Sequence, residues 1–231
     1  MRTASVRLCV HARGMTTAPG GTAPSALSPI EPPPPELAVA RRVDWTHELV
    51  EQLDWHWQHH LRPGLDGLGD EEYLWEPVPG CWSLRRREDA RSAMAAGAAD
   101  TVADFEHPEP VPAPFTTIAW RMAHLSVGVL GERAANHFGA EAMSYPTTDW
   151  PLTAAGGLAM LDRSYERWMA GVRGLDAAGL AAPCGPSEGP YADHPMAALV
   201  LHISREVIHH GAEILTVRDL HRHAVALGSL R

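Results

Sequence analysis

Apolar residues recur at helical spacing in four long stretches of this chain, and they alternate nowhere for long enough to make a convincing strand. The first stretch begins near Asp44 and runs to about Leu61, where Pro63 and Gly64 stop it, with Trp45, Leu49, Leu53, His56 and His60 on one face. The second, Thr116 to Phe138, has a hydroxyl pair to cap it and Gly139 to close it. The third follows Pro151, from Thr153 to about Leu175, and uses Leu158, Leu161, Tyr165, Trp168 and Met169. Pro195 suits a first helical turn and opens the fourth, which runs to about Leu220. Between the first and second, Arg62 to Phe115 carries Pro77, Pro79, Pro108, Pro110, Pro112 and Pro114 and no sustained period. It predicts a long irregular connection with one short helix from Arg85 to Ala99. Four long helices predict an all-α four-helix bundle over residues 41–231. Before it, the Thr, Ala, Gly, Ser and Pro of Thr16 to Pro35 cannot bury enough surface to offset ordering, so residues 1–40 are expected to be a disordered tail. Met15 is as plausible a start as Met1.

Composition narrows the chemistry. At 231 residues and 45 % apolar the chain can bury one substantial core without disulfides. A formal charge of -9 gives no surface suited to neutralising phosphates, so no nucleic-acid partner is expected. All 19 basic residues are arginine, which removes Schiff-base and P-loop lysines outright. Cys9, Cys81 and Cys184 are odd in number and form no C-x-x-C pair, a pattern that fits a reducing cytoplasm. No apolar run reaches the roughly 20 residues that span a bilayer, and Met1 to Met15 lacks the apolar centre of a secretion signal.

One segment of the fourth helix carries most of the functional information. Arg205-Glu206-Val207-Ile208-His209-His210-Gly211 places a carboxylate and an imidazole four residues apart on the side expected to be buried. On a helical wheel with Glu206 at zero, Leu199, Ile203, Val207, Ile214 and Val217 span roughly 20° to 100° and His210 falls at about 40°, inside that arc. Glu206 lies at its edge, and His202, His209 and Glu213 lie farther round. Buried ionisable groups are costly unless paired or bound to metal, and Glu206 with His210 can grip one cation. The third ligand comes from helix two, where His124 lies beside the apolar arc of Trp120, Ala123, Val127 and Ala134. Its neighbours Gly128, Gly131 and Ala135 leave space for a bound group. A zincin helix is excluded because Arg205 stands where the first histidine would be. Only Glu206 to His209 has Glu-x-x-His spacing, which favours one metal over two. His56 and His60 share the i, i+4 spacing but read more naturally as a pocket wall or wet face. Cys81, near Arg85 to Arg87, is a candidate nucleophile and, with Gly80 and Trp82, a candidate structural turn.

Three segments carry a family resemblance. Pro79-Gly80-Cys81-Trp82-Ser83, Thr117 through Leu125, and Arg205 through Ile214 resemble those of the DinB-like superfamily in content and order, over roughly Asp44 to Leu220. The resemblance implies a four-helix bundle of the DinB-like type holding a divalent metal through one histidine of helix two and two ligands of the last helix. The matching residues are His124, Glu206 and His210. Glutamate at the earlier position of the last helix resembles the ligand set of mycothiol-dependent maleylpyruvate isomerase, although the chain ends too soon after helix four for the extra C-terminal domain of such isomerases. The implied cofactors are a divalent metal, zinc first with nickel, iron or manganese also fitting, and a low-molecular-weight thiol such as mycothiol, bacillithiol or glutathione. The implied partners are that thiol and an electrophilic substrate, in a protein that forms a homodimer. The activity expected is thiol S-transfer or thiol-assisted isomerisation, with metal-assisted hydrolysis beside it. The alternatives are a non-catalytic metal-binding or stress-response protein and a metal-free dimerisation module.

Overall fold

A computed structural model describes residues 43–228 of the chain. The tail expected over residues 1–40 lies outside the described residues. Four long helical rods form the body. The first, α1, joins an α-helix Trp45–His56, a π-helical stretch Trp57–Leu61 and a last turn Arg62–Gly64. Asp44 starts it, its carboxylate accepting from the His47 N–H at 3.1 Å. The buried face is not quite the one expected: Leu49, Leu53, Trp57 and Leu61 point inward, while Trp45 and His60 are exposed. Trp57, where the π-helical stretch begins, stacks on the ring of Tyr165, 3.8 Å between centroids and nearly parallel.

The connection between the first two long rods is more ordered than its prolines suggest. A short helix α2 (Asp70–Leu74) is followed by strands β1 (Leu84–Arg86) and β2 (Thr101–Ala103), paired antiparallel with Leu84 opposite Ala103. The helix expected from Arg85 to Ala99 is therefore replaced by β1 and a 3-10 turn, Arg87–Asp89. The reason is Asp104, fully buried, whose carboxylate accepts from Ser83 N–H at 3.0 Å and from Arg85 Nε at 2.7 Å. A buried carboxylate needs such partners, and holding Ser83 and Arg85 against Asp104 fixes this stretch as extended chain. The Asp104 carbonyl then accepts from Trp120 Nε1 at 2.7 Å, which locks the start of the next rod to the sheet.

That rod, α3, joins Ile118–Ala123, a π-helical stretch His124–Gly131 and Glu132–Phe138. Thr117 caps it by accepting from the Trp120 N–H at 3.2 Å, and Gly139 ends it at φ 68°, a left-handed conformation that glycine adopts without cost. α4 (Ala154–Arg173) starts from the Thr153 cap, α5 (Ala177–Ala181) is a short helix capped by Asp176, and α6 (Met196–Ala226) is the last and longest. The fourth rod thus continues past the predicted end at Leu220. α1 and α3 each pack against both α4 and α6, so the four rods enclose one core in which Leu61, Leu125, Leu130, Leu161 and Val207 are all fully buried. No described helix is long and apolar enough to cross a membrane.

Candidate metal centre

The contact between α3 and α6 brings together the three side chains singled out by spacing. His124, Glu206 and His210 each offer one ligand atom, and these atoms lie within 4.8 Å of one another. His124 comes from the first π-helical residue of α3, while Glu206 and His210 come from successive turns of α6. His124 and His210 are buried and meet edge to face, 5.0 Å between centroids, and Glu206 is half-buried at the rim.

Each imidazole is oriented through its other nitrogen. His124 Nδ1 lies 3.0 Å from the Tyr145 hydroxyl, and Trp120 stacks against the same ring at 5.8 Å and 13°. His210 Nδ1 lies 2.7 Å from Glu213 Oε2, while its Nε2 is 3.3 Å from Glu206 Oε2. The free faces therefore converge: Nε2 of His124, Nε2 of His210 and a Glu206 oxygen. A Cβ on Gly128 would sit 2.7 Å from the Tyr145 hydroxyl and 3.3 Å from His124 Nδ1. The space that Gly128 and Gly131 open is thus not left for a ligand, as expected from sequence. Tyr145 takes the first gap and Met143 the second.

The protonation states follow from these contacts. Burial pushes the His124 ring down to about 3, and the positive charges of His210 and Arg121 act the same way, so it is neutral near pH 7. The hydrogen bond with His210 pulls the Glu206 carboxyl down to about 2 against the opposing effect of burial. Burial alone would lower His210, but Glu206 and Glu213 outweigh it and hold the ring above its ordinary 6.5. For Glu213, burial is likewise outweighed, by His210 and Arg121, and its carboxyl stays below the usual range. The site thus offers a neutral His124 and an ionised Glu206 as ready donors, while His210 becomes a donor once the proton that Glu206 and Glu213 stabilise has left.

A second group, His209, His210 and Glu213, also lies within reach of one ion. It is less suited to a cation, because Arg121 Nε stands 2.9 Å from Glu213 Oε2 and His209 is exposed. His202 and His209 touch the carboxylates from outside, His202 Nδ1 at 3.6 Å from Glu206 and His209 Nε2 at 3.3 Å from Glu213. His56 and His60 stack 5.8 Å apart but join no group of three donors among the described residues. Cys81 is buried, donates from Sγ to the Val78 carbonyl at 3.0 Å and has its pKa raised, burial being the main cause. It is part of the turn, as its alternative reading held. Of the arginines expected to activate it, Arg85 to Arg87, Arg85 is committed to Asp104 and Glu76, and Arg87 donates to the carbonyls of Gly97 and Ala99.

The characteristic pattern of the DinB superfamily matches residues 52–214, a span that includes both donor helices. The chain belongs to the DinB superfamily. No curated protein and no solved structure matches it. As a DinB protein it has the expected helical body and a His/Glu group able to take a divalent metal. Three participants escaped sequence reasoning: Tyr145, the orienting role of Glu213, and Arg121. Glu213 stands three residues from His210, a helical neighbour spacing that could have flagged it. Tyr145 sits in a loop without periodicity and left no comparable signal beyond the small Gly128 facing it.

Proposed function

We propose that this DinB protein is a divalent-metal-dependent enzyme that uses a low-molecular-weight thiol, mycothiol-like, in S-transfer or thiol-assisted isomerisation. The observation that supports the reading is the convergence of donor atoms from His124, Glu206 and His210 within 4.8 Å, each imidazole steered by a partner on its far nitrogen. His124 serves with Nδ1–H donating to the Tyr145 oxygen, which leaves the Nε2 lone pair directed inward. His210 serves with Nδ1–H donating to Glu213, after the proton it shares with Glu206 has left. The donor set fits zinc, and nickel, iron and manganese accept the same ligands.

A divalent cation held by His124, Glu206 and His210 would supply Lewis acidity able to lower the pKa of a thiol toward neutrality. The chain itself supplies orientation and charge. Glu206 is committed as a ligand and is not a general base, so the thiol proton leaves to solvent at the half-exposed rim. The sulfur then attacks an electrophilic carbon. In transfer the new C–S bond forms as a leaving group departs with its electron pair, and in isomerisation the thiol adds and is later expelled. Free Cys81 and Cys184 suit a reducing cytoplasm, where such thiols are abundant.

The test is elemental analysis of untagged protein followed by assay of thiol-dependent consumption of an electrophile such as 1-chloro-2,4-dinitrobenzene. One metal per chain and a turnover abolished in His210→Ala support the enzyme. Full metal occupancy with no turnover across several thiols would leave a metal-binding protein without this activity.

A further inference from the structure

Among the described residues, the buried guanidinium of Arg218 and the part-buried one of Arg85 each donate to several acceptors, whereas Arg121 does not. Arg218 donates to Glu72 and to the carbonyls of Gly64 and Asp66, and Arg85 donates to Asp104, Glu76 and the Cys81 carbonyl. Arg121 is mostly buried too, stacked on Trp120 with its carbon centre 5.4 Å from the ring. Its Nε is buried without a hydrogen-bond partner, since Glu213 Oε2, although 2.9 Å away, is not aligned to accept. Among the described residues nothing else accepts from this guanidinium. One donor of this charged group, Nε, has thus given up water without regaining an aligned hydrogen bond, while its terminal nitrogens have no protein acceptor there, and this calls for an explanation.

The explanation lies in the cleft it lines. A cavity of about 320 Å³ opens between the start of α3 and the middle of α6. Phe115, Ile118, Ile214 and Val217 give it apolar walls, and Arg121 and Glu213 stand together in its lining. That volume falls at the small end of the range for small-molecule sites, which pair apolar walls with a few polar anchors. Glu213 is also the residue that holds His210, so the cleft is two contacts from the donor group.

We infer that Arg121 anchors a carboxylate, so that the cleft takes a small molecule with an apolar body and a carboxylate end. The planar fork matches a carboxylate in geometry, and its stack on Trp120 holds it in place beforehand. A dianionic phosphate is disfavoured, because Glu213 beside the single guanidinium would repel the second charge. This deepens the enzyme reading, on which it rests for the reacting group but not for the binding itself. The carboxylate belongs either to the thiol or to its electrophilic partner, and the two are separable by experiment.

The test is a ligand-observed NMR titration with two acid and amide pairs: 3-phenylpropionate with its amide, and N-acetylcysteine with its amide. Each is run on metal-loaded and on chelator-treated protein, with circular dichroism to verify folding. At least one acid should bind about tenfold or more tightly than its amide, and that preference should vanish in Arg121→Gln. Preference with phenylpropionate alone assigns the carboxylate to the electrophile, and with N-acetylcysteine alone to the thiol. Should Arg121→Gln be unfolded, Arg121→Lys carries the comparison, since it keeps the charge and loses the fork. An undiminished preference there overturns the proposal. So does equal binding of acid and amide by the native protein, or no binding of either pair. The acid preference for phenylpropionate is expected to survive chelator, so failure of the metal reading, seen as absent metal, is distinguishable from failure of the anchor.

Discussion

At the scale of single residues the site depends on which nitrogen faces where. Removing a ligand should cost more metal affinity than removing its support. Tyr145→Phe deletes the acceptor for His124 Nδ1–H and leaves that nitrogen buried and unpaired, so affinity should fall about 10–100-fold. His210→Ala and Glu206→Gln should fall further, and competition with a chromophoric chelator measures all three. The pH dependence has a definite sign. Only the His210 proton must be displaced in the working range, because its pKa lies above 6.5 whereas His124 titrates at about 3 and Glu206 at about 2. Affinity should therefore be flat above the His210 pKa and fall by about tenfold per pH unit below it, with one proton released per ion. In Glu213→Gln the His210 ring loses a carboxylate that raises its pKa, so the onset of that fall should move to lower pH. A slope of two protons, or an onset that does not move, would contradict this account. His124, Glu206 and His210 were legible in the sequence because each lies on or beside an apolar arc where an unpartnered charge is costly. Arg121 was not legible, because its anomaly is a missing hydrogen bond, which only geometry exposes.

At the scale of elements the sequence was most informative where a cap and a period coincide. Thr117 with Gly139, and Thr153 after Pro151, mark the ends of α3 and α4 within a residue or two because each satisfies terminal backbone groups locally. It failed between Pro77 and Phe115, where the extended chain is set by the buried Asp104, a partner many residues from most of what it fixes. The π-helical stretches were equally invisible, since an inserted residue breaks the 3.6-residue period without leaving a mark in composition. One of them decides the fate of Gly128. A methyl group there would come within 2.7 Å of the Tyr145 hydroxyl and 3.3 Å of His124 Nδ1, so one of them must shift. Gly128→Ala should destabilise the fold by about 1–3 kcal/mol in a denaturant titration. It should also weaken metal binding as Tyr145→Phe does, by displacing the same hydroxyl. If the variant loses stability but binds metal normally, Tyr145 does not position His124.

At the scale of the whole molecule, α6, which carries two of the donors, is held by a buried polar junction as well as by its own apolar face. Arg218 of α6 is buried to 1 % exposure and ties Glu72 of α2 at 3.1 Å together with the carbonyls of Gly64 and Asp66, which terminate α1. The last helix is thereby tied to the end of α1 and to α2, 146 to 154 residues earlier, through one guanidinium. Breaking a buried pair by removing one partner strands the other charge, whereas replacing both with apolar side chains of similar volume is often tolerated. Arg218→Met should therefore lower stability by about 3 kcal/mol, since it leaves two carbonyls without their donor and Glu72 with only the more exposed Arg222, 3.7 Å away, as a cationic partner. The double variant Arg218→Met, Glu72→Met should recover part of that loss, though not all, because the carbonyls of Gly64 and Asp66 remain unpaired. Chemical denaturation of the metal-free protein measures both. Metal affinity offers the control: Arg218 lies two turns of α6 beyond His210 and touches none of the donors. Under native conditions both variants should bind metal as the unmodified chain does. A drop in metal affinity without loss of folded protein would mean that this junction also sets the separation of α3 and α6, and that the donor geometry is imposed by the whole bundle rather than by the hydrogen bonds of Tyr145 and Glu213.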